Sequence, residues 1–429
     1  MKKRNTRHEK RLKRLIVTCL LCAIILTVST YAWFIGMQTV SVDAFEINIA
    51  SVDSLTLSLD GKTFTENLEI NEEILRALKE GKTGEETSTI VFDGTYKDGN
   101  TNSWTSLEPM SSVGTVKTTS SKMVLFEKGS LTASTGGYRI MAEPVANDST
   151  EVAGYVAFDL FIKNLSGEAY YNTVTDPSNE EAIYLDYGSK ALGKETGSTT
   201  TGIENSIRVA FASIGRVKAD KVNGEAQAIT CNVGEDGKPA YNADNGITGI
   251  CRPATIWEPN DTAHVAAAKS WFDKSCKKRT GIDAWGAACD TINNGTAYPT
   301  YAVSGAIDQD AQADVYDGLN GYTDSIVMNG DAAETDATKA AKNKLLAVDT
   351  FTDTEKAKQA EQRVEFMTLA PNSITKVRVY VYIEGQDVDN YDFASLGQKV
   401  EINFGFTKER YAQTDVGATT PEYSTESGE

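Results

Sequence analysis

Apolar residues that recur at every second position near both ends of the chain restrict its fold more than any other feature. Residues 375–384 put Val377, Val379, Val381 and Ile383 on one side of an extended backbone and Arg378, Tyr380 and Tyr382 on the other. Residues 398–407 repeat the pattern with Val400, Ile402, Phe404 and Phe406. Near the start, Val40 and Val42, then Phe45, Ile47 and Ile49, then Leu55, Leu57 and Leu59 alternate in the same way and run into Asp60-Gly61. Successive side chains of a strand point to opposite faces, so this period calls for sheets with a buried face, and Asp-Gly marks a tight turn. Strands at both ends with long insertions between them predict a mainly β protein. The expected form is an antiparallel β-sandwich, jelly-roll-like, with helical and disulfide-containing insertions and a core completed late in the chain.

Between these ends the pattern is uneven. Residues 154–164 predict a core strand with Val156, Phe158, Leu160 and Ile162 on one face and Asp159 and Lys163 marking the other. Residues 182–186 and 206–214 continue the β pattern, and 123–126 and 138–141 are candidate short strands. A short helix is expected after Asn71 as N-cap, with Glu72 and Glu73 in its first turn and Gly81 as its stop. Residues 82–121 read as loops with a few short strands. Periodicity breaks over about 218–300, which reads as an insertion with one helix over 261–275. A helical insertion is expected over about 331–363, its second helix capped by Thr352 or Asp353. Residues 412–429 are nearly devoid of apolar side chains and predict a disordered tail. The β domain is thus placed at 33–411.

The first residues are basic: Lys2, Lys3, Arg4, Arg7, Lys10, Arg11, Lys13 and Arg14 precede an apolar run from Leu15 to Val28. As a helix that run covers about 21 Å, short of the roughly 30 Å hydrocarbon core, so an export signal over 1–32 is the preferred reading. The alternative carries the helix on to Met37, long enough to anchor the chain in the membrane with an aromatic belt at its far end. Either way the basic end stays inside and the rest is exported.

Thr30-Tyr31-Ala32-Trp33-Phe34, followed by the strand-like Thr39 to Ile49, resembles the start of TasA and camelysin-type proteins, exported by Gram-positive bacteria. Residues 256–260 and 381–387 resemble stretches of clostridial relatives. The resemblance implies that a dedicated signal peptidase cuts between Ala32 and Trp33, and that the mature protein is secreted to the cell surface or matrix. It also implies a jelly-roll architecture and fibres that assemble by strand donation. The donor would be the alternating strand of Val40, Val42, Phe45, Ile47 and Ile49.

Composition sets the remaining bounds. Removing residues 1–32, with eight Lys/Arg and one Asp/Glu, takes the formal charge from −18 to −25. Such a surface repels nucleic acid and anionic lipid and favours a soluble subunit, so any membrane contact falls to an uncleaved leader. Cys19 and Cys22 lie in the apolar run and serve there as small hydrophobes. Cys231, Cys251, Cys276 and Cys289 are the disulfide candidates, with three possible pairings. Zinc is the alternative, with no CxxC among them and only His264 near.

Catalytic chemistry finds little support. His8 and His264 are the only histidines, and the HExxH that would carry over a camelysin-type metalloprotease activity is missing. Asp308, Asp310, Asp314 and Asp317 are the nearest approach to a calcium loop, but they lack the spacing and terminal Glu of an EF-hand, so a solvated acidic loop is preferred and no cofactor is expected. Trp257-Glu258-Pro259-Asn260 suits a strand end, with Pro259 stopping the ladder, better than a carbohydrate or peptide groove. Two functions from different classes follow. One is a structural subunit that self-associates into matrix fibres. The other is a monomeric, membrane-anchored adhesin or ligand-binding module whose cysteine-rich insertion is the contact surface.

Overall fold

The computed structural model describes residues 40–49, 54–71, 107–128, 132–134, 137–139, 142–148, 151–152, 154–173, 179–186, 188–194, 201–221, 224–270, 301–306, 345–347, 351–353, 365–391, 394 and 398–408. The protein is mainly β. Among the described residues, seventeen strands form two large sheets: β1 (Ser41–Ile49), β2 (Leu55–Ser58), β3 (Asn67–Asn71), β4 (Pro109–Ser111), β5 (Phe126–Lys128), β6 (Ala142–Pro144), β7 (Val156–Asn164), β8 (Glu181–Leu185), β9 (Lys190–Lys194), β10 (Ile207–Lys218), β11 (Tyr241–Asn242), β12 (Ile247–Gly249), β13 (Thr255–Glu258), β14 (Phe351–Asp353), β15 (Met367–Leu369), β16 (Ser373–Glu384) and β17 (Lys399–Thr407).

The six-stranded sheet holds β1 between β17 and β3, while β8 and β9 take the far edge of β17 and β15 extends β8. The eleven-stranded sheet is built on the antiparallel ribbon β7-β16-β10, in register Asp159↔Arg378 and Phe211↔Val379. Strand β2 flanks β7, β4 to β6 continue from the end of β16, and β11 to β14 continue from β10.

Alternation decides what meets across the gap between the sheets. Val156, Phe158, Leu160, Ile162, Val209, Phe211, Val377, Val379 and Val381 of the large sheet share one apolar cluster with Phe45, Ile47, Ile70, Ile402, Phe404 and Phe406 of the small one. Phe211 stands edge-on to Phe404 and Phe406, with ring centroids 5.1 and 5.8 Å away. Trp257 is fully buried in the same cluster and β13 stops at Glu258, just before Pro259, so the strand-end reading of that stretch holds.

The opposite face of the large sheet is also covered. Tyr155, Ala157, Phe161, Ala210, Ile214, Tyr380 and Tyr382 pack there with Met123, Leu125, Ile229 and Cys231 in a second core. Cys231 and Cys251 are joined in a disulfide against this face. The loop reaches the sheet because Gly215 and Gly249 are opposite each other, and a Cβ on Gly249 would run into the carbonyl oxygen of Cys231.

Several expectations are corrected. The sheets are mixed: β1 with β17, β4 with β16 and β13 with β14 run parallel, which long connections permit. The start of the 218–300 stretch is not set apart from the sheet, since β11, β12 and β13 extend it. The helix expected from 261 begins at 266, after the turn residues 259–262. Within 331–363, Leu345–Ala347 pairs with Tyr301–Val303 and Phe351–Asp353 pairs with β13, so Thr352 and Asp353 lie in a strand rather than at a helix cap. Tertiary pairing there overrides the helix propensity of the Ala- and Lys-rich neighbourhood. The stretch 123–126 splits, Met123 in a hairpin with Val116–Lys117 and Phe126 in β5. Residues 72–81, the remainder of 331–363, the leader and the tail lie outside the described residues.

Candidate functional site

Strand β1 is the element that sequence reasoning singled out for assembly. Its backbone bonds on both sides: in parallel register Phe45↔Ile402, Ile47↔Phe404 and Ile49↔Phe406 with β17, and in antiparallel register Phe45↔Ile70 and Ile47↔Leu68 with β3. A bulge between Val42 and Ala44 shifts the register, so Val42 and Phe45, three residues apart, both face inward. Val40, Val42, Phe45 and Ile47 are buried, Ile49 is half-buried, and the Phe45 ring lies 5.7 Å from that of Phe158 across the core. The structure thus brings Val42, Phe45, Ile47 and Ile49 together in the single chain's own sheet, while Val40, just before β1, pairs with Leu107 in an isolated bridge. Strand β2 begins only six residues after β1 ends, in the other sheet.

Ala32, Trp33, Cys276, Cys289, Asp308, Asp310, Asp314 and Asp317 lie outside the described residues. Among the described residues no group of three or more His, Cys, Asp or Glu side chains is arranged to hold a metal ion. Nor does any helix among them have the length and apolarity to cross a membrane.

Sequence reasoning missed three buried networks of charge among the described residues. On the outer face of the large sheet, Arg378 grips Asp159 through Nε and Nη2 at 2.7 and 3.1 Å, and Lys376 Nζ reaches the same carboxylate at 3.0 Å. Lys122 Nζ lies 3.2 Å from Glu151, which also accepts the Tyr155 hydroxyl. Burial alone would raise the Asp159 carboxyl, but Arg378 and Lys376 outweigh it and hold the group well below the ordinary carboxylate range. Burial pulls Lys376 and Lys122 down against their carboxylate partners.

At one end of the same sheet, fully buried Arg208 joins Glu258 and Asp387. Glu384 beside it is pushed up to about 8, by burial that Arg208 only partly offsets. His264 Nδ1 and Asp389 Oδ2 are 2.7 Å apart, tying the turn after β16 to the residues before the helix, and burial lifts Asp389 to about 6. In a third network Glu180 receives Arg216 at 2.7 Å and both terminal nitrogens of Arg252 at 2.5 and 2.9 Å. These networks fasten loops to strands by charge-assisted bonds in dry surroundings, where removing one partner is costly. One signal was available: Val209 to Ile214 is apolar except for Ser213, which implies burial on both faces, so the flanking Arg208 and Arg216 must be paired.

No protein family, curated protein or solved structure matches this chain.

Proposed function

We propose that this chain is an exported structural protein, a subunit of extracellular fibres of the TasA-like kind. It is built as a jelly-roll-like β-sandwich and linked copy to copy by exchange of β1. The observation that carries the reading is the placement of β1: the first described strand, inserted between two others, with its apolar side chains in the core. Three buried side chains, Val42, Phe45 and Ile47, at roughly 1.5–3 kcal/mol each contribute about 5–9 kcal/mol, comparable with the net stability of a whole domain. A subunit without a strand in this slot is therefore incomplete, and the same strand from a neighbour restores identical contacts. The leader fits this scheme, because cutting after Ala32 frees the amino end of that strand. The acidity of residues 33–429 keeps subunits apart until strand exchange joins them.

The test compares the chain beginning at Trp33 with one lacking residues 33–49, by electron microscopy after concentration. Fibres from the first and none from the second support the proposal. Fibres from the shortened chain would remove the role given to β1.

A further inference from the structure

A cavity of about 480 Å³ opens on the outer face of the large sheet, between the turn of the Val116–Met123 hairpin and the chain leading through Cys231. Its floor is Asp159, Lys376 and Arg378; Lys122 and Glu151 line it as well, and the hydroxyls of Thr118 to Ser121 and Thr230, with Asn232, stand around them. Thr119, Thr230 and Val233 are exposed, which leaves it accessible from solvent.

The cavity is lined by buried charge. Its ionisable side chains are three cations and two carboxylates, all five residues buried or nearly so except Arg378, whose side chain is 14 % exposed. In a chain of net charge −18, this is a local surplus of one positive charge. Two carboxylates are shared among the three cations, and an anion in the cavity would balance the surplus. The rim carries hydroxyl and amide groups, and Ser120 Oγ is buried there with no hydrogen-bond partner among the described residues. Two residues that line the cavity, Ser121 and Asn232, have left-handed backbones with φ of 56° and 37°, and the disulfide partner of the intervening Cys231 has φ of 41°. Cys231 N–H donates to Ser121 Oγ at 2.9 Å, which fixes the two walls to each other. Non-glycine residues held in that region are costly and gather where a surrounding structure holds a site in shape.

We propose that this cavity binds a small hydroxylated carboxylate, a sugar acid or hydroxy acid, with its carboxylate against Lys122 and Arg378, its hydroxyls on the rim of Ser120, Ser121 and Asn232, and Lys376, whose ammonium is already held by Asp159 and the carbonyls of Gln227 and Ile229, adding only its charge. The size suits a ligand of one sugar ring with room for a substituent. Ligand charge supplies the missing negative, and the rim hydroxyls select a polyol over a bare anion. The proposal stands apart from the fibre reading, because no residue of β1 touches the cavity.

Isothermal titration of the full-length protein with D-glucuronate, D-glucose and acetate tests it. Glucuronate is expected to saturate with a Kd of about 1 mM or tighter and to bind at least about tenfold better than neutral glucose or acetate. Lys122→Met, which removes the surplus charge and keeps the volume, is expected to weaken glucuronate about tenfold. Lys117→Met makes the same charge change at an exposed ion pair with Asp148 and should leave binding unaltered. If Lys122→Met fails to fold, Ser120→Ala, which removes the unpartnered rim hydroxyl, is read instead, with a loss of about threefold expected and unaltered binding overturning the proposal. The proposal is overturned if glucose binds as well as glucuronate, if no saturation is seen at roughly ten times the expected Kd, or if Lys117→Met weakens binding as much as Lys122→Met.

Discussion

Replacing Asp159 by Asn keeps the shape of the side chain and removes one charge from the centre of the outer-face network. The carboxylate is 2 % exposed and holds Arg378 at 2.7 and 3.1 Å and Lys376 at 3.0 Å. At about 3 Å and an effective dielectric near 20, each cation gains roughly 5 kcal/mol of Coulomb energy from it, most of which offsets desolvation. Breaking such a buried pair from one side costs about 3–5 kcal/mol, and Asp159→Asn is expected to destabilise by that amount in urea unfolding at pH 7. Since the Asp159 carboxyl lies below its ordinary value of 3.8 in the fold, its contribution is complete above that value and is lost as pH falls further, through the folded value. The gap between wild type and variant should therefore be constant from pH 7 to pH 5 and close below pH 4. Adding Lys376→Met to Asp159→Asn removes one of the stranded cations and should recover at least about 1 kcal/mol. A loss under about 1 kcal/mol for the single variant, or a gap that widens in acid, would show that the network is solvated and refute the reasoning.

Glu384 gives the opposite pH dependence: its folded value of about 8 lies above the ordinary 4.5, so its stabilisation is complete below 4.5 and is lost as pH rises towards 8. Glu384→Gln should flatten the fall in stability between pH 5 and pH 8 by about 3–5 kcal/mol, measured by urea unfolding at the two pH values. Peptide mapping without reduction should recover Cys231 linked to Cys251. A bridge spanning 20 residues contributes roughly 3 kcal/mol, and reduction should lower the thermal midpoint accordingly. Gly249→Ala sets a Cβ against the Cys231 carbonyl and should destabilise by about 1–3 kcal/mol in thermal unfolding.

The long strands were legible because their alternation is strict: β1, β7, β16 and β17 lie within a few residues of where period two places them, with the expected faces inward. What alternation does not encode is the fate of the other face. Asp159, Arg378, Tyr380 and Tyr382 read as an outward polar side, yet loops distant in sequence cover them, and the charges survive burial only as networks. The parallel pairing of β1 with β17 was equally hidden, because strand direction follows from connections hundreds of residues long and not from local pattern. Short strands such as β14 escaped since three residues in an Ala- and Lys-rich neighbourhood carry almost no periodic signal. The candidate assembly strand was read residue by residue, and the cavity was not, because its walls come from six separate stretches of chain.

Strand exchange is tested most directly by cysteines placed at Glu46 and Asn403, partners in the β1–β17 register, with one substitution on each of two chains. The two variant chains, Glu46→Cys and Asn403→Cys, are mixed, concentrated, oxidised and separated without reduction. The account predicts a covalent heterodimer, since β1 of one copy lies against β17 of another. A crosslink that forms only when both substitutions are on the same chain, with mixed chains remaining monomeric, would contradict it.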